Sequence, residues 1–278
     1  MSVPALYGCF STCVALMLIL LSPAKSLDYD TPVAADLPHT GAQFLPQAST
    51  LIALLQQKSP QELAMLMKIS DPLAALNVAR YQTWTLDDHG AAARPALLAF
   101  NGAVYEGLQA RSLSRADLDW AQQHLAILSG LYGVLRPLDA MRPYRLEMGT
   151  RLATPQGQNL YQFWGTQIAE YLNAQLHAPI HAGTVPVVLN LASQEYFKAI
   201  HRQVLQARVV ECVFEDYHSG AYKIISVHAK RARGLMARYC IVQRATAPQQ
   251  LESFNAEGYA FDASASKPER LLFRRRTA

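Results

Sequence analysis

The eight residues Ser129-Gly-Leu-Tyr-Gly-Val-Leu-Arg136 follow directly on an amphipathic segment, residues 115–128. Ser114 is a suitable N-cap and leucines recur along one face, so the segment is predicted to be a helix. Glycine lets the backbone approach a neighbour closely and turn its N–H groups outward. Two interpretations follow. The glycines end the helix and ease a bend, or they form the hairpin of a helix-hairpin-helix element that holds nucleic-acid phosphates.

The composition describes a globular protein with an uneven charge distribution. The 278 residues are 51% hydrophobic and 17% charged, which excludes a disordered chain and allows a substantial core. The net charge is +4, but from Lys223 onward eleven Lys and Arg face only four Asp and Glu. A basic C-terminal quarter is what a polyanion-binding face requires. The run at residues 274–276, Arg-Arg-Arg, is itself predicted to be a solvated tail.

The first apolar run lies at residues 14–21. No Lys or Arg precedes it, so the positive region of a signal peptide is missing, and eight residues are too few to span a bilayer. The run is instead predicted to contain a buried strand that ends at Ser22. Residues 1–16 are predicted to be a disordered or extra N-terminal extension, and residues 17–278 a single domain.

Helix and strand signals alternate irregularly along the rest of the chain. We therefore expect a mixed α/β class, with one compact domain, a mixed sheet and surrounding helices. The predicted strands include residues 185–191 and a hairpin that pairs 209–214 with 223–228. The predicted helices are 48–57, 60–69, a third through Asn77 to Trp84, 115–128, 159–177 and 231–244.

The loop after the first strand is one candidate site. Ser22 and Lys25 sit at the carboxyl end of a buried strand, where open α/β sheets place ligands, and they could bind a phosphate or carboxylate. A second polar cluster follows the strand at 185–191. There, Ser193 and Glu195 fit the start of a helix, while Asn190, Tyr196 and Lys198 could line a cleft.

The third candidate is the cationic run Lys230-Arg-Ala-Arg-Gly234. It is predicted to lie where a strand over 224–228 passes into a helix. Cations gathered so closely repel one another unless an anion is present, so Lys230, Arg231 and Arg233 are predicted to bind phosphate. Arg238 follows Arg231 by seven residues, which puts both on one helical face.

No metal or cofactor is predicted. Histidines are scattered, Pro179 interrupts the pair His177 and His181, and the four cysteines contain no Cys-x-x-Cys pair. Neither a Gly-x-Gly-x-x-Gly motif nor a Walker loop occurs. The cysteine pattern fits a reducing cytosol.

Several blocks in order resemble the YaaA family of bacterial peroxide-stress proteins, and the resemblance covers residues 17–273. The blocks are Met17-Leu-Ile-Leu-Leu-Ser-Pro-Ala-Lys-Ser-Leu-Asp28, Leu128-Ser-Gly-Leu-Tyr-Gly-Val-Leu-Arg-Pro-Leu-Asp139, Pro143-Tyr-Arg-Leu-Glu-Met-Gly149, Leu160-Tyr-Gln-Phe-Trp-Gly165, Asn190-Leu-Ala-Ser193, Glu195-Tyr-Phe-Lys198, Ala229-Lys-Arg-Ala-Arg-Gly234 and Phe254-Asn-Ala-Glu-Gly-Tyr259.

The resemblance implies a cytoplasmic protein that protects against hydrogen peroxide, limits iron-dependent oxidative damage and binds DNA. It also implies a compact mixed α/β fold with a positive cleft and a helix-hairpin-helix element, which here falls at about residues 116–148. A standard hairpin of this type has one residue between its glycines, whereas two separate Gly130 and Gly133. The second helix would also contain Pro137 and Pro143.

Three functions compete at this point. The leading one is DNA binding through backbone and shape contacts without sequence preference, with neither a membrane nor a stable protein partner inferred. Its predicted phosphate contacts are Ser22, Lys25, Gly130, Gly133, Arg136, Arg142, Lys230, Arg231 and Arg233. The rival is an enzyme acting on a nucleic-acid base or nucleotide, in a cleft with Asn190 and the candidate catalytic residues Lys25, Tyr105, Glu195 and Lys198. Direct iron storage is disfavoured, because no ligand cluster is evident. The test is spatial: whether residues 22–25, Asn190 and Lys230 converge on one pocket.

Overall fold

A computed structural model describes residues 17–86, 92–177 and 185–276; the predicted extension, residues 1–16, lies outside this part. The strands are β1 Met17–Leu21, β2 Ser26–Leu27, β3 Arg94–Pro95, β4 Phe100–Asn101, β5 Leu125–Ser129, β6 Gly133–Leu135, β7 Ala140–Met141, β8 Val187–Asn190, β9 Arg208–His218, β10 Ala221–Lys223, β11 Ala260–Phe261 and β12 Arg270–Arg275. The helices are α1 Leu45–Gln56, α2 Pro60–Met67, α3 Asp71–Gln82, α4 Ala96–Ala99, α5 Ala103–Leu108, α6 Arg115–His124, α7 Leu160–Trp164, α8 Gln167–His177, α9 Gln194–Phe197 and α10 Ser226–Gln243.

The main sheet confirms the mixed α/β class. It has eight strands in the order β11-β12-β9-β8-β1-β5-β6, with β10 paired to β9 outside that path. The five strands β12, β9, β8, β1 and β5 run parallel, whereas β6, β10 and β11 are antiparallel to their neighbours. The carboxyl ends of the five parallel strands therefore meet at one edge of the sheet.

The central strands are apolar because both of their faces are covered. All five residues of β1 are buried, as are all those of β5 and β8. Such continuous apolar runs are typical of parallel strands enclosed by helices. The chain order brings residues that follow β1 together with residues that follow β8, because the two strands are paired neighbours.

Two glycines seat α10 directly on α5. A Cβ at Gly234 would lie 1.7 Å from the carbonyl oxygen of Val104, and one at Gly107 would lie 2.2 Å from that of Arg231. The helices thus touch through their backbones, which only residues without a side chain allow. This contact fixes the first turns of α10 beside the start of α5.

The helix-hairpin-helix predicted over 116–148 is not confirmed. Helix α6 ends at His124, residues 125–135 form the antiparallel strands β5 and β6, and no helix occurs between residues 136 and 159. The apolar run at 125–128 continued the helical pattern, but it pairs with β1 as a buried strand. Periodicity alone does not distinguish a short buried strand from a buried helix.

Other predicted boundaries moved for local reasons. The hairpin with β9 is confirmed, but its second strand is only β10, and α10 begins at Ser226 where a strand was predicted. The predicted helix at 159–177 is interrupted at Gly165, which has a φ of +48°. The expected solvated tail is also wrong in part, since Arg274 and Arg275 belong to β12.

Candidate functional site

A cleft of about 420 Å³ opens beyond the carboxyl ends of β1 and β8. This is the edge at which open α/β sheets bind ligands. Its lining comprises residues 22–26, 101–104 and 144–147, the residues Leu191, Ser193, Glu195 and Tyr196, and Lys230 and Arg233 of α10.

Hydrogen bonds join the two loops that form the floor of the cleft. The backbone N–H of Ser193 donates to Oγ of Ser22 at 2.8 Å, and that hydroxyl donates to Oγ of Ser193 at 3.3 Å. From below, the Tyr105 hydroxyl donates to the carbonyl of Ser22 at 3.0 Å. Burial raises the pKa of Tyr105 well above its usual 10, so it remains a protonated donor at neutral pH.

A carboxylate bridges two cations on one wall. Oε2 of Glu147 lies 3.2 Å from Nζ of Lys25, and its Oε1 accepts from Nη2 of Arg145 at 2.8 Å. The Lys25 side chain is 66% exposed, whereas that of Arg145 is 14% exposed. The Nε of Arg145 is buried and has no hydrogen-bond partner among the described residues.

Helix α10 supplies two further cations to the lining of the cleft. Lys230 is exposed, and Arg233 follows one helical turn later in a half-buried position. Burial lowers the pKa of the Arg233 guanidinium, while Glu211 opposes that shift. Neither side chain forms a hydrogen bond or ion pair of its own with another residue in the described ranges.

The lining carries an excess of positive charge. Four of its side chains are cationic and two are carboxylates, Glu147 and Glu195. Oε1 of Glu195 already accepts the N–H of Gly149 at 2.9 Å, and Glu147 is shared as described. Lys230 and Arg233 are therefore the lining cations that form no salt bridge in the described part of the chain, although Glu211 acts on Arg233 through its charge.

Some predicted residues support the cleft from behind or lie outside it. Asn190 is buried, and its Oδ1 accepts the N–H of Ala192 at 3.0 Å, so it shapes the loop that carries Ser193. Lys198 is not part of the lining; its Nζ sits 5.0 Å above the ring centre of Tyr161. Residues 22–25 and Lys230 thus line one pocket. Asn190 does not line it, whereas the next residue in the chain, Leu191, does.

The glycines of the opening motif are enclosed by protein. A Cβ at Gly130 would lie 2.2 Å from the carbonyl oxygen of Leu146, and one at Gly133 would lie 2.7 Å from the Trp164 ring. The indole of Trp164 also donates to the carbonyl of Gly130 at 3.1 Å. The turn therefore meets other parts of its own chain at the position where the prediction placed a phosphate.

Three predicted phosphate-binding arginines lie outside the cleft lining. Arg136 pairs with the buried carboxylate of Asp139 at 2.9 Å, and Arg231 pairs with Glu257 at 2.6 Å. The backbone N–H of Arg142 donates to the Tyr132 hydroxyl at 3.1 Å.

Arg231 and Arg238, which were predicted to share one face of α10, both make contacts within the protein. Nη1 of Arg238 donates to the carbonyls of Leu108 and Gln109 and to the hydroxyl of Ser112, which ties α10 to the end of α5. Arg231 and Arg238 therefore join parts of the fold.

The structure adds residues that were not assigned to the site from the sequence. Tyr144, Arg145 and Glu147 reach the cleft from an irregular segment far from β1 in the chain. In the sequence, these residues stand out only as part of the block at residues 143–149. That block contributes to the family resemblance but does not indicate a role. Within the described ranges, no group of three or more His, Cys, Asp or Glu could hold a metal ion. No helix in those ranges has the length and apolar character needed to cross a membrane.

These features define a mixed α/β protein with a cationic cleft at the carboxyl edge of its sheet. Residues 17–265 match the family model described as peroxide stress protein YaaA. A UPF0246 protein of Paracidovorax citrulli is 65% identical over 94% of this chain and all of its own length, and one of Verminephrobacter eiseniae is 64% identical over 94% and 99%. The UPF0246 protein of Bordetella pertussis is 57% identical over 94% of this chain. The chain belongs to the YaaA family of peroxide-stress proteins.

Proposed function

We propose that this family member binds DNA in the cleft through backbone phosphates, and that it thereby limits iron-dependent oxidative damage in the cytoplasm. The observation that carries the proposal is the convergence of Lys25, Lys230 and Arg233 on one cleft that has more cations than carboxylates. Phosphate contacts of this kind position a protein on DNA without reading its sequence.

The hydroxyls of the cleft floor complement the cations. Ser22 and Ser193 lie at the carboxyl ends of neighbouring strands, and their loops are already locked together. Hydroxyls and backbone N–H groups share phosphate oxygens with Lys and Arg at protein–DNA contacts. The proposal therefore transfers the phosphate contacts from the turn at 130–133 to the cleft.

The environment of Lys25 favours binding over covalent chemistry. A lysine nucleophile is activated by desolvation in an apolar pocket or by another cation. Lys25 is 66% exposed and its neighbour is the carboxylate of Glu147. Lys25 therefore lacks the apolar surroundings that activate a lysine nucleophile, and its position suits an ionic contact with a phosphate.

The test is the salt dependence of DNA binding. Fluorescence anisotropy with a labelled duplex, measured from 50 to 300 mM salt, should give a steep linear fall of log affinity. The double variant Lys25→Ala/Lys230→Ala should lose about tenfold in affinity at low salt, and the slope should fall by about two.

A matched control removes the same charge elsewhere. Lys58, half-buried between α1 and α2, and Lys267, exposed before β12, are not part of the cleft lining. The Lys58→Ala/Lys267→Ala variant should keep the wild-type slope of log affinity against log salt concentration to within about 0.5. Equal losses in the two double variants would show that only net charge matters and would refute the cleft.

Protection from iron chemistry has its own measurement. A plasmid exposed to ferrous iron and peroxide should show fewer strand breaks when wild-type protein is present than with the double cleft variant. Equal protection by both would separate the damage-limiting role from DNA binding in the cleft.

The dimensions of the cleft favour one second candidate, an enzyme acting on a nucleotide or nucleic-acid base. Its volume lies within the roughly 300–1,000 Å³ of small-ligand sites. Glu195 and Lys25 are the predicted catalytic residues that line it, whereas Tyr105 and Lys198 do not. Incubation with nucleotides and oligonucleotides, followed by mass spectrometry, should reveal a product that Glu195→Gln abolishes; an unchanged substrate mass would reject this candidate.

A further inference from the structure

A second cavity, which we call the side groove, has a volume of about 640 Å³ and adjoins the cleft. Glu147 and Glu195 line both cavities, so the cleft and the side groove meet at these two side chains. The rest of the side groove is lined by the end of α2 and by the segment that follows Glu147; these residues are Met65, Leu66, Met67, Lys68, Gly149, Thr150 and Arg151.

The two cations of the side groove have no partner within the described chain. Lys68 and Arg151 are both exposed, and neither forms a hydrogen bond or an ion pair through its side chain with a residue of the ranges 17–86, 92–177 and 185–276. The two carboxylates are already engaged, since Glu147 is shared by the two cations of the cleft wall and Glu195 accepts a backbone N–H. The charge of Lys68 and Arg151 is thus available to an anionic ligand.

A buried tyrosine holds the walls of the side groove together. The hydroxyl of Tyr81 donates to the carbonyl of Arg145 and lies 3.9 Å from Sδ of Met67. Burial raises the pKa of Tyr81 above its usual 10, so the phenol remains a donor at neutral pH. The N–H of Thr150 donates to the carbonyl of Glu147 at 3.0 Å, which closes the turn that leads into the groove arginine. Both walls are therefore in place before a ligand binds.

We propose that the side groove binds the phosphate backbone of DNA that extends beyond the cleft, with Lys68 and Arg151 as its phosphate contacts. Charge complementarity and the direct connection to the cleft both favour this occupant. Contacts from Lys and Arg to phosphates add affinity whatever the sequence of the DNA. The inference rests on the proposed function, since the DNA reaches the side groove from the cleft.

The experiment measures affinity against DNA length. Labelled GC-rich hairpins with stems of about 4, 8, 12 and 16 base pairs are titrated with the wild type and with Lys68→Gln/Arg151→Gln. The ratio of the two affinities cancels the number of overlapping positions on each stem. The ratio should stay within about twofold on the shortest stem, which the cleft accommodates, and reach about tenfold on the longest. On the longest stem, the slope of log affinity against log salt concentration should fall by about two.

A charge-preserving variant is the matched control. Lys68→Arg/Arg151→Lys keeps both cations and should remain within about twofold of the wild type on every stem. Thermal unfolding midpoints of both double variants should match the wild type, because the altered side chains are exposed and make no contact of their own in the described ranges.

An equal loss on the shortest and longest stems, or no loss on the longest, would overturn the role of the side groove. If the Lys25→Ala/Lys230→Ala variant still lost affinity in that case, the cleft would stand as the DNA site without the side groove. If neither the cleft variant nor the groove variant lost affinity for any stem, the proposed function itself would fail.

Discussion

The turn at residues 130–133 and the loop at residues 22–25 were both predicted to hold phosphate, and the structure treats them differently. The turn is packed against Leu146 and Trp164, while the loop lines a cleft that also contains Lys230 and Arg233. Glycines in a sequence report that something comes close to the backbone. They do not report whether that object is a ligand or another part of the chain.

The two regions are also held by different forces. Around the turn, backbone and an indole ring fill the space, and the indole N–H donates one hydrogen bond to the carbonyl of Gly130. The loop that follows β1 is held by hydroxyls, ion pairs and the carboxylate of Asp28. We therefore expect substitutions in the turn to change stability, and those in the cleft to change binding.

The largest expected effect is that of Gly130→Ala. The added Cβ would lie 2.2 Å from a backbone oxygen, so the backbone must shift, and the free energy of unfolding should fall by about 3 kcal/mol. Urea unfolding monitored by tryptophan fluorescence measures this loss, and DNA affinity of the folded protein should be unchanged. Gly220→Ala is the control: that glycine has a φ of +85° in open space, so only about 1 kcal/mol of backbone strain is expected.

Arg233→Gln should separate binding from stability. The guanidinium is half-buried and forms no salt bridge among the described residues, and Glu211 offsets only part of its desolvation cost, so its removal should leave the free energy of unfolding unchanged or raise it by about 1 kcal/mol. DNA affinity should fall about fivefold because a phosphate contact is lost. A marked loss of stability instead would show that Arg233 is a structural residue.

Low pH should destabilise the segment that follows β1, which contains Asp28, and should leave the turn at residues 130–133 unaffected. The pKa of Asp28 is lowered from 3.8 to about 2, chiefly by a hydrogen bond from the backbone N–H of Thr31. Desolvation raises the pKa, but the Thr31 hydroxyl, the N–H of Asp30 and the charge of Arg111 lower it further. Because the folded-state pKa is below the unfolded one, this stabilisation is complete above about pH 4 and is lost as the pH falls toward 2. Asp28→Asn should therefore cost about 1 kcal/mol at pH 6, after solvent screening is allowed for, and nothing near pH 2. A constant difference across that range would assign the loss to packing.

The smallest expected effect on stability is that of Lys25→Ala. Its ion pair with Glu147 is solvent-exposed, and such pairs contribute less than about 0.5 kcal/mol. Differential scanning calorimetry should find the same midpoint to within about 1 °C, while the salt slope of DNA binding falls by about one. A large drop in the unfolding midpoint would instead show that Lys25 contributes to packing, as the glycines of the turn at 130–133 do.

The elements that could be predicted from the sequence are those whose signal is local. The capping Ser59 and Glu62 mark the start of α2, and the apolar run that ends at Leu21 marks β1, which in turn places Ser22 at the ligand edge. The run at 125–128 was predicted to end the helix of residues 115–128 but is a strand, because a helix continuing from α6 and a strand pairing with β1 bury the same residues.

The remaining parts of the site depend on contacts between distant residues. Arg231 and Arg233 look equivalent in the sequence, yet one meets Glu257 and the other faces the cleft. Glu147 comes close to Lys25 across more than a hundred residues of chain. No local pattern distinguishes a cation that has such a partner from one that does not.

The glycine contact between α5 and α10 holds these two helices rigidly together at one side of the cleft. With main chain resting on main chain at Gly107 and Gly234, there is no layer of side chains between the helices that could rearrange when a ligand arrives. The separation of the two helix backbones is set when the protein folds, so ligand binding would cost little ordering entropy there. The relative position of α5 and α10 is therefore the same with an empty cleft as with an occupied one.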